Sequence, residues 1–480
     1  MGDSLKGKAI IGVGWSTMEN VARYGITFVV TLVLARLLGP DEYGLIGIVS
    51  ILINVFNAIV DSGLTAALVR KKNVNNTDYS TVFVANFVIS VFLSIVLFFL
   101  SGYISVFFSR PELKVLTEVM SVVIVINSLA IVQKARLTRE INFRIQTKIS
   151  VIATILSGIL GIALAYMGYG VWALVWQQIS SQLLITILLW YFNRWRPQLI
   201  FSIESFKELW GFGWKLLASS LIGTIWDEVF SIVIGKCYSP SSLGLYTRAR
   251  QFASLCSSNI NTVVQRVSYP VLSSIQDDKE RLKNGYERVI KMTMLPTFVL
   301  MVGMAAVAKP MIVVLIGEKW IGCIPMLQLI CFDMMLYPLH ALNLNAIQVL
   351  GRSDLILKLR IIKTIIATSV LIVGIVHGIL WMLFASIIIG WLSYFLNSYF
   401  LKSLLDYTIY DQLRTIIPGL VIALVMGGIV FTITFLSINV YVMLISQMIL
   451  GLIVVIFLCE KIQLAEYIEL KSILMSVSKK

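Results

Sequence analysis

The chain reads as an all-α polytopic membrane protein of about fourteen transmembrane helices: two parallel six-helix repeats and two further helices at the C-terminus. Three observations lead there. Of its 480 residues, 58% are hydrophobic and 13% charged, with a mean hydropathy of +0.89, which leaves too little polar surface to cover a water-soluble globule of this length. Apolar stretches of ~20 residues or more, each able to cross ~30 Å of hydrocarbon, recur with short breaks. The chain also repeats itself. Gly12-Val13-Gly14-Trp15, Pro40 and Tyr43-Gly44-Leu45 return as Gly211-Phe212-Gly213-Trp214, Pro240 and Leu243-Gly244-Leu245, an offset of about 200 residues that marks a duplication. A weaker echo joins Gly170-Val171-Trp172-Ala173-Leu174 to Gly378-Ile379-Leu380-Trp381-Met382-Leu383.

Breaks at Gly, Pro and charged clusters place the spans near 9–36, 44–69, 79–108, 114–133, 146–167, 170–192, 210–236, 243–268, 290–316, 322–350, 356–377, 379–401, 415–437 and 440–459. Six spans per repeat is an even number, so both repeats enter from the same side, related by an axis along the membrane normal and with a path between them. The expected units are 1–200, 201–405 and 406–480. The first apolar segment has no small-residue cleavage site and only a short leader, so it is expected to stay in the mature protein. Ser205 and Glu208 have the spacing of a capping box that starts the seventh span, and the amphipathic stretch 201–216 is expected first to lie along the membrane surface. The outer loops, such as Gly168-Tyr169-Gly170 and Ser437-Ile438-Asn439, leave no room for a catalytic domain. Spans 13 and 14 carry no charge between Pro418 and Cys459 and are expected to face lipid.

The net charge of +14 is not distributed like a nucleic-acid surface. Of 39 Lys and Arg residues, 29 fall in one alternating set of breaks and 8 in the other, with Arg23 and Lys215 inside spans. The positive-inside rule then puts both termini in the cytoplasm. Cys237, Cys256, Cys323, Cys331 and Cys459 are scattered without CxxC or ligand spacing, which implies neither a disulfide framework nor a metal site. No P-loop, metal motif or nucleophile with its base is present, and no cofactor is expected.

Polar side chains inside a bilayer should face protein or a water-filled path. Span 1 carries Ser16, Asn20, Arg23, Thr27 and Thr31 at helical steps, with Glu19 four residues before Arg23 in the favoured ion-pair order. Span 2 carries Ser50, Asn54, Asn57 and Asp61; span 7, Lys215, Ser219, Gly223 and Asp227, with Glu228 adjacent; span 8, Thr247, Gln251, Ser254, Ser258, Asn261 and Gln265 beside Arg248 and Arg250. Spans 1 and 2 are the repeat counterparts of 7 and 8, so these four are expected to wall the path. The plain alternative is that Ser, Thr and Asn only join helices by hydrogen bonds. An arginine in mid-membrane costs ~2.5–3.5 kcal/mol; Arg23 is therefore either neutralised by Glu19 or offers its planar fork to an anionic substrate. Lys215 and Arg248 would add charge. Asp61, Asp227, Glu228, Asp333 and Glu19 are the candidates for a coupling ion, and His340, seven residues from Asp333, shares its face.

Leu37-Leu38-Gly39-Pro40-Asp41-Glu42-Tyr43-Gly44, Tyr269-Pro270, Pro296, Gly317-Glu318-Lys319-Trp320 and Gly351-Arg352 resemble the Wzx type of polysaccharide export protein, in the superfamily that also holds the MATE drug exporters and the lipid II flippase MurJ. The resemblance implies two six-helix lobes in a V that work by alternating access. It implies a cargo of oligosaccharide on undecaprenyl diphosphate, moved to the outer leaflet of a bacterial plasma membrane for surface polysaccharide. Arg23, Lys215 and Arg248 would then meet the diphosphate, with Asn20, Asn57, Asn261 and Gln265 among the substrate-binding residues, and a proton or sodium gradient would drive transport. The partners implied are membrane lipid and the polysaccharide polymerase and export machinery. A MATE-like exporter of cationic drugs, a membrane enzyme and a structural partner of polymerisation are the competing readings; the first should have a cavity of acids and aromatics, the second a sizeable outer loop.

Overall fold

The computed structural model describes residues 25–61, 63–140, 142–193, 195–464, 466–469 and 471–472. Among these, twelve helices are long and apolar enough to cross a membrane. In chain order they begin with α2 (Pro40–Asp61), preceded by the shorter apolar α1 (Gly25–Leu37), and continue through α4 (Asn76–Phe108), α5 and α6 (Glu112–Met120, Val122–Arg139), α7 (Phe143–Tyr166), α8 (Val171–Phe192) and α9 (Ile203–Cys237). After α10 (Pro240–Ser273) come α11 (Lys279–Ala306), α12 (Ala308–Ile316), α13 and α14 (Cys323–Met334, Tyr337–Val349), α15 (Ser353–His377), α16 (Ile379–Leu405), α17 (Ile409–Thr432) and α18 (Val440–Ile462). The short α3 (Leu64–Arg70) lies between α2 and α4. Thirteen of the fourteen expected spans find a counterpart, the polar α10 being outside the twelve; of the first expected span only α1 is described, and residues 9–24 lie outside the described residues. Four counterparts are broken: the second span is α2 and α3, and the ninth is α11 and α12 joined through Val307. The fourth span is α5 and α6 joined through Ser121, and the tenth is α13 and α14 parted at Met335-Leu336, with Pro338 in the first turn of α14, where an N–H would have no intrahelical partner.

α4 shows how one helix serves lipid and protein. Val88, Phe92, Ile95, Phe99, Tyr103 and Val106 recur at steps of three and four and are all exposed. On the opposite face Ser90, Ser94 and Ser101 are buried. Ser90 donates to the Ser128 hydroxyl at 2.8 Å, Ser94 to the Ser121 carbonyl at 2.9 Å and Ser101 to Glu118 at 3.0 Å, the use of small polar residues to join helices in lipid.

The chain divides into two compact units, residues 1–244 and 245–480. In the first, α9 packs on α2, α3 and α4. The start of α9 differs from the sequence expectation. Its cap is Ser202, which accepts from the Ser205 N–H at 3.3 Å. Ser205 instead donates its hydroxyl to the buried carboxylate of Asp78, and Glu208 turns to the Lys71 ammonium at 2.9 Å. Buried Asp78 needs several donors, so it draws Ser205 and also Lys71 (3.1 Å) away from local capping. A capping box does form at α4, between Asn75 and Asp78. Residues 203–216 belong to the continuous helix α9 rather than to a separate surface segment.

The duplicated motif has a packing reason. A Cβ on Gly44 would lie 1.7 Å from the Pro240 carbonyl oxygen, and a Cβ on Gly244 would lie 2.0 Å from that of Pro40. The first turns of α2 and α10 thus cross reciprocally at backbone contact, each glycine against the other repeat's proline. Gly63, at φ +66°, likewise leaves only 2.2 Å between its missing Cβ and the Gly213 carbonyl oxygen.

In the second unit α11 packs on α17, α13 and α14, and α16 on α13, α14 and α15. Freedom from charge did not make α17 a lipid-facing helix throughout: Gly419, Ile422, Ala423, Met426 and Gly427 are buried, and a Cβ on Gly427 would meet Val302 at 2.5 Å. The expectation holds better for α18, where Tyr441, Ile445, Met448, Leu452 and Ile456 are exposed.

Candidate functional site

The first unit encloses a cavity of about 680 Å³ between α2, α3, α6, α8 and α9, within the range of small-molecule sites. Helical phase selects its walls. From α2 come Asn54, Asn57 and Asp61; from α6, Asn127, Lys134 and Thr138; from α8, Gln182; from α9, Thr224, Asp227 and Glu228. Apart from Thr65 on α3 the remaining lining is aliphatic, with no aromatic ring among the described residues.

The amides form a directed chain across three helices. Gln182 Nε2 donates to Asn127 Oδ1 at 2.9 Å, and Asn127 Nδ2 donates to Asn57 Oδ1 at 3.0 Å. Asn54 Nδ2 donates to Glu228 Oε1 at 3.1 Å, joining α2 to α9. Lys134 is exposed and is the one cationic residue among the described lining residues. Its neighbours on α6 are committed elsewhere: Arg136 pairs with Glu140 at 2.9 Å, and Arg139 donates to the carbonyls of Leu68, Lys71 and Lys72, closing the C-terminus of α3 as a cation should.

Of the residues singled out in the sequence, Asn57, Asp61, Asp227 and Glu228 come together in this cavity. Glu19, Asn20 and Arg23 lie outside the described residues. Lys215 is exposed on α9 and is not among the cavity's lining residues. The other four belong to the second unit. There Arg248 is buried and donates to Gln251, Gln265 Nε2 donates to Asn261 Oδ1 at 3.4 Å, and Asp333 approaches α16, where a Cβ on Gly390 would lie 3.6 Å from its Oδ1. His340 Nδ1 lies 3.5 Å from Asn397 Nδ2. Gly390 and Asn397 are seven residues apart on α16, so Asp333 and His340 do face one helix despite the break between α13 and α14.

Sequence reasoning missed Asn127, Gln182 and the part played by Lys134. Asn127, Lys134 and Thr138 are spaced by seven and four, a signal that was present, but Lys134 sits among the basic residues of one alternating set of breaks and reads there as topology. Gln182 stands alone on α8 and carries no periodic signal.

Known proteins give the architecture its context. Residues 33–325 match the family described as polysaccharide biosynthesis protein. The chain is 26% identical over 366 residues to the succinoglycan biosynthesis transport protein ExoT of Rhizobium meliloti (strain 1021), covering 76% of this chain and 74% of that one. It is 26% identical over 378 residues to the lipopolysaccharide biosynthesis protein WzxC of Escherichia coli (strain K12), covering 77% and 76%. Among solved structures, the lipid II flippase MurJ in an inward closed conformation superposes with a TM-score of 0.70 at 17% identity, over 93% of this chain and 98% of that one. An inward-facing multidrug resistance MATE family transporter of the MOP superfamily gives 0.58 at 16%, over 86% and 98%. The chain is therefore a multi-pass membrane protein that belongs to the polysaccharide biosynthesis protein family and has the fold shared by MurJ and the MATE transporters.

Proposed function

We propose that the protein is a flippase that carries oligosaccharide repeat units linked to undecaprenyl diphosphate from the cytoplasmic to the outer leaflet of a bacterial plasma membrane, by alternating access and with both termini in the cytoplasm. The observation that carries this reading is the cavity of the first unit: hydrogen-bonding groups from four helices gathered inside a membrane protein of the polysaccharide biosynthesis family. Polar groups at that depth are expensive unless they serve a path or a ligand. The chain acts as a transporter, with no chemical step assigned to it, and hands its cargo to polymerisation and export machinery. Asp61, Asp227 and Glu228 in the cavity, and Asp333 in the second unit, are proposed to take up a coupling proton or sodium ion. Arg23, Lys215 and Arg248 are proposed to help neutralise the diphosphate; normal glycan export by a well-expressed Arg23→Ala would remove Arg23 from that role.

Deleting the gene tests the whole reading. Undecaprenyl-linked repeat units should accumulate on the cytoplasmic face, and normal surface glycan without accumulation would refute it. One observation favours a second reading: three acids against one lysine among the described lining residues of the cavity would also suit a cationic drug. That exporter should raise resistance to cationic dyes when overproduced and leave glycan intermediates unchanged on deletion.

A further inference from the structure

We propose that the second unit holds a binding site for an anionic phospholipid of the outer leaflet, with the headgroup phosphate at Lys309 and one acyl chain in a groove between α13 and α17. The leaflet follows from the topology proposed above; the site itself does not depend on the cargo. Two cavities make it. The polar one, of about 380 Å³, lies between α12, the 434–438 turn and the start of α18, and Lys309, Thr434 and Ser437 line it. The apolar one, of about 300 Å³, is floored by Val302 and Ala306 of α11 and walled by α13 and by the stretch of α17 from Leu424 to Phe431, ~10 Å of helix. The same two walls run from one cavity into the other. On one, Ala306 is followed three residues later by Lys309. On the other, Phe431 is followed by Thr434 and Phe435, and the rings of Phe431 and Phe435 meet edge to face with centroids 5.6 Å apart.

The chemistry of each cavity matches one end of a lipid. Lys309 is exposed and makes no ion pair among the described residues. The Thr434 hydroxyl accepts from Gln447 Nε2 at 2.9 Å, which leaves its own proton to donate, and Ser437 is exposed beside it. An ammonium and two hydroxyls offer donors, as a phosphate requires. No acid stands among the described lining residues to receive the ammonium of a zwitterionic headgroup, so the site favours a headgroup whose net charge is negative. Basic pockets between membrane helices recognise anionic lipids in this way. The groove is apolar apart from Gln328. That side chain donates one Nε2 hydrogen to the Ala305 carbonyl at 3.2 Å and has a second for a lipid ester carbonyl. Leu424, Gly428 and Phe431 are exposed, which opens the groove to hydrocarbon. Gly427 is pressed on Val302, which a Cβ would meet at 2.5 Å, but a Cβ on Gly428 would meet nothing within 4 Å. Packing within the protein therefore gives Gly428 no reason to be glycine, and its missing side chain leaves width for an acyl chain.

The test uses the full-length protein in a neutral detergent and phosphatidylglycerol with a photoreactive diazirine at the middle of one acyl chain, the crosslinked peptides being mapped by mass spectrometry. Crosslinks should concentrate at 302–306 and 424–431, and phosphatidylethanolamine with the same chain should give at least fivefold fewer. Lys309→Gln should abolish that preference. Gly428→Leu, which meets no protein atom at its Cβ, should reduce crosslinking of both lipids at these segments at least threefold. Unlabelled phosphatidylglycerol should compete, whereas glycerophosphate, a free phosphate ester without chains, should not. The preference of the unmodified protein needs no variant, so a misfolded substitution cannot hide the answer. Equal crosslinking of the two lipids, crosslinks spread evenly over the exposed faces of α4 and α18, or competition by glycerophosphate would overturn the inference. Stronger competition by a polyprenyl phosphate than by phosphatidylglycerol would overturn it too, by giving the site to another lipid. None of these outcomes touches the flippase reading, which the accumulation of lipid-linked repeat units decides.

Discussion

Replacing Gly44 by alanine should force the first turns of α2 and α10 apart. The new Cβ would lie 1.7 Å from the carbonyl oxygen of Pro240, 2.2 Å from its carbonyl carbon and 2.7 Å from its Cα, whereas ordinary contact begins near 3.4 Å. The helices must therefore separate by at least ~1.7 Å, because the obstruction is backbone and has no rotamer to change. Overpacking of this kind costs ~1–3 kcal/mol, occasionally more. Gly244→Ala meets the Pro40 carbonyl oxygen at 2.0 Å and should cost about as much. The reciprocal geometry makes a sharper demand: once either alanine has parted the helices, the other has been given part of its space. The double variant should fall short of the sum of the singles by ~0.5–3 kcal/mol. Gly47→Ala is the control, since its Cβ would touch Leu243 at an ordinary 3.6 Å. Melting of the purified protein, followed by tryptophan fluorescence in one detergent, should show a drop of several degrees for each single variant, little further loss in the double, and almost no change for Gly47→Ala. Additive losses, or single variants as stable as the parent, would refute the reciprocal crossing.

Other outcomes follow from features already described. A reporter fused after Lys480 should be cytoplasmic, as the 29 to 8 division of basic residues demands; an external reporter reverses the topology. In a cysteine-free background, cysteines at Asn57 and Asp227 should react with water-soluble maleimide, while those at Phe92 and Phe99 on the exposed face of α4 should not; the reverse pattern would exchange lumen and lipid faces. The hydrogen bond to Glu208, followed by the Asp78 carboxylate, raises the Lys71 ammonium above its usual range. Because the folded value is the higher one, the stabilisation is complete below the unfolded pKa of ~10.4 and is lost as pH rises through the folded value. Lys71→Met should lower stability at neutral pH and flatten the alkaline limb of the pH profile; an unchanged limb would remove Lys71 as its source.

How far the molecule was legible in its sequence depends on the range of the interaction. The spans were readable because hydrocarbon thickness imposes a length on each, and the stripe Asn54, Asn57, Asp61 was readable because it is local to one helix. The partners of that stripe were not. Gln182 reaches Asn57 only through Asn127, across helices separated by 70 and 55 residues in the chain, and no periodicity encodes such a meeting. Ser205 fails as a cap for the same reason: the local hydrogen bond that its spacing offers competes with a buried carboxylate 127 residues away. Lys134 carries two meanings at once, and charge counting reports only the topological one.

The mutual contact of Gly44 with Pro240 and Gly244 with Pro40 has a consequence for the history of the chain. Residue i touching j while the counterpart of j touches the counterpart of i is the signature of an isologous interface between identical subunits. The crossing of α2 and α10 is thus what a two-fold homodimer would leave behind after its gene was doubled and fused. Before fusion every substitution at such a contact occurs twice and its cost is doubled; afterwards each half can change alone. In the fused chain both glycines still face the other repeat's proline backbone, so a side chain added at either one meets the same obstruction. Away from such a contact the two halves are free to differ, and Asn127, Lys134 and Gln182 line a cavity in the first half.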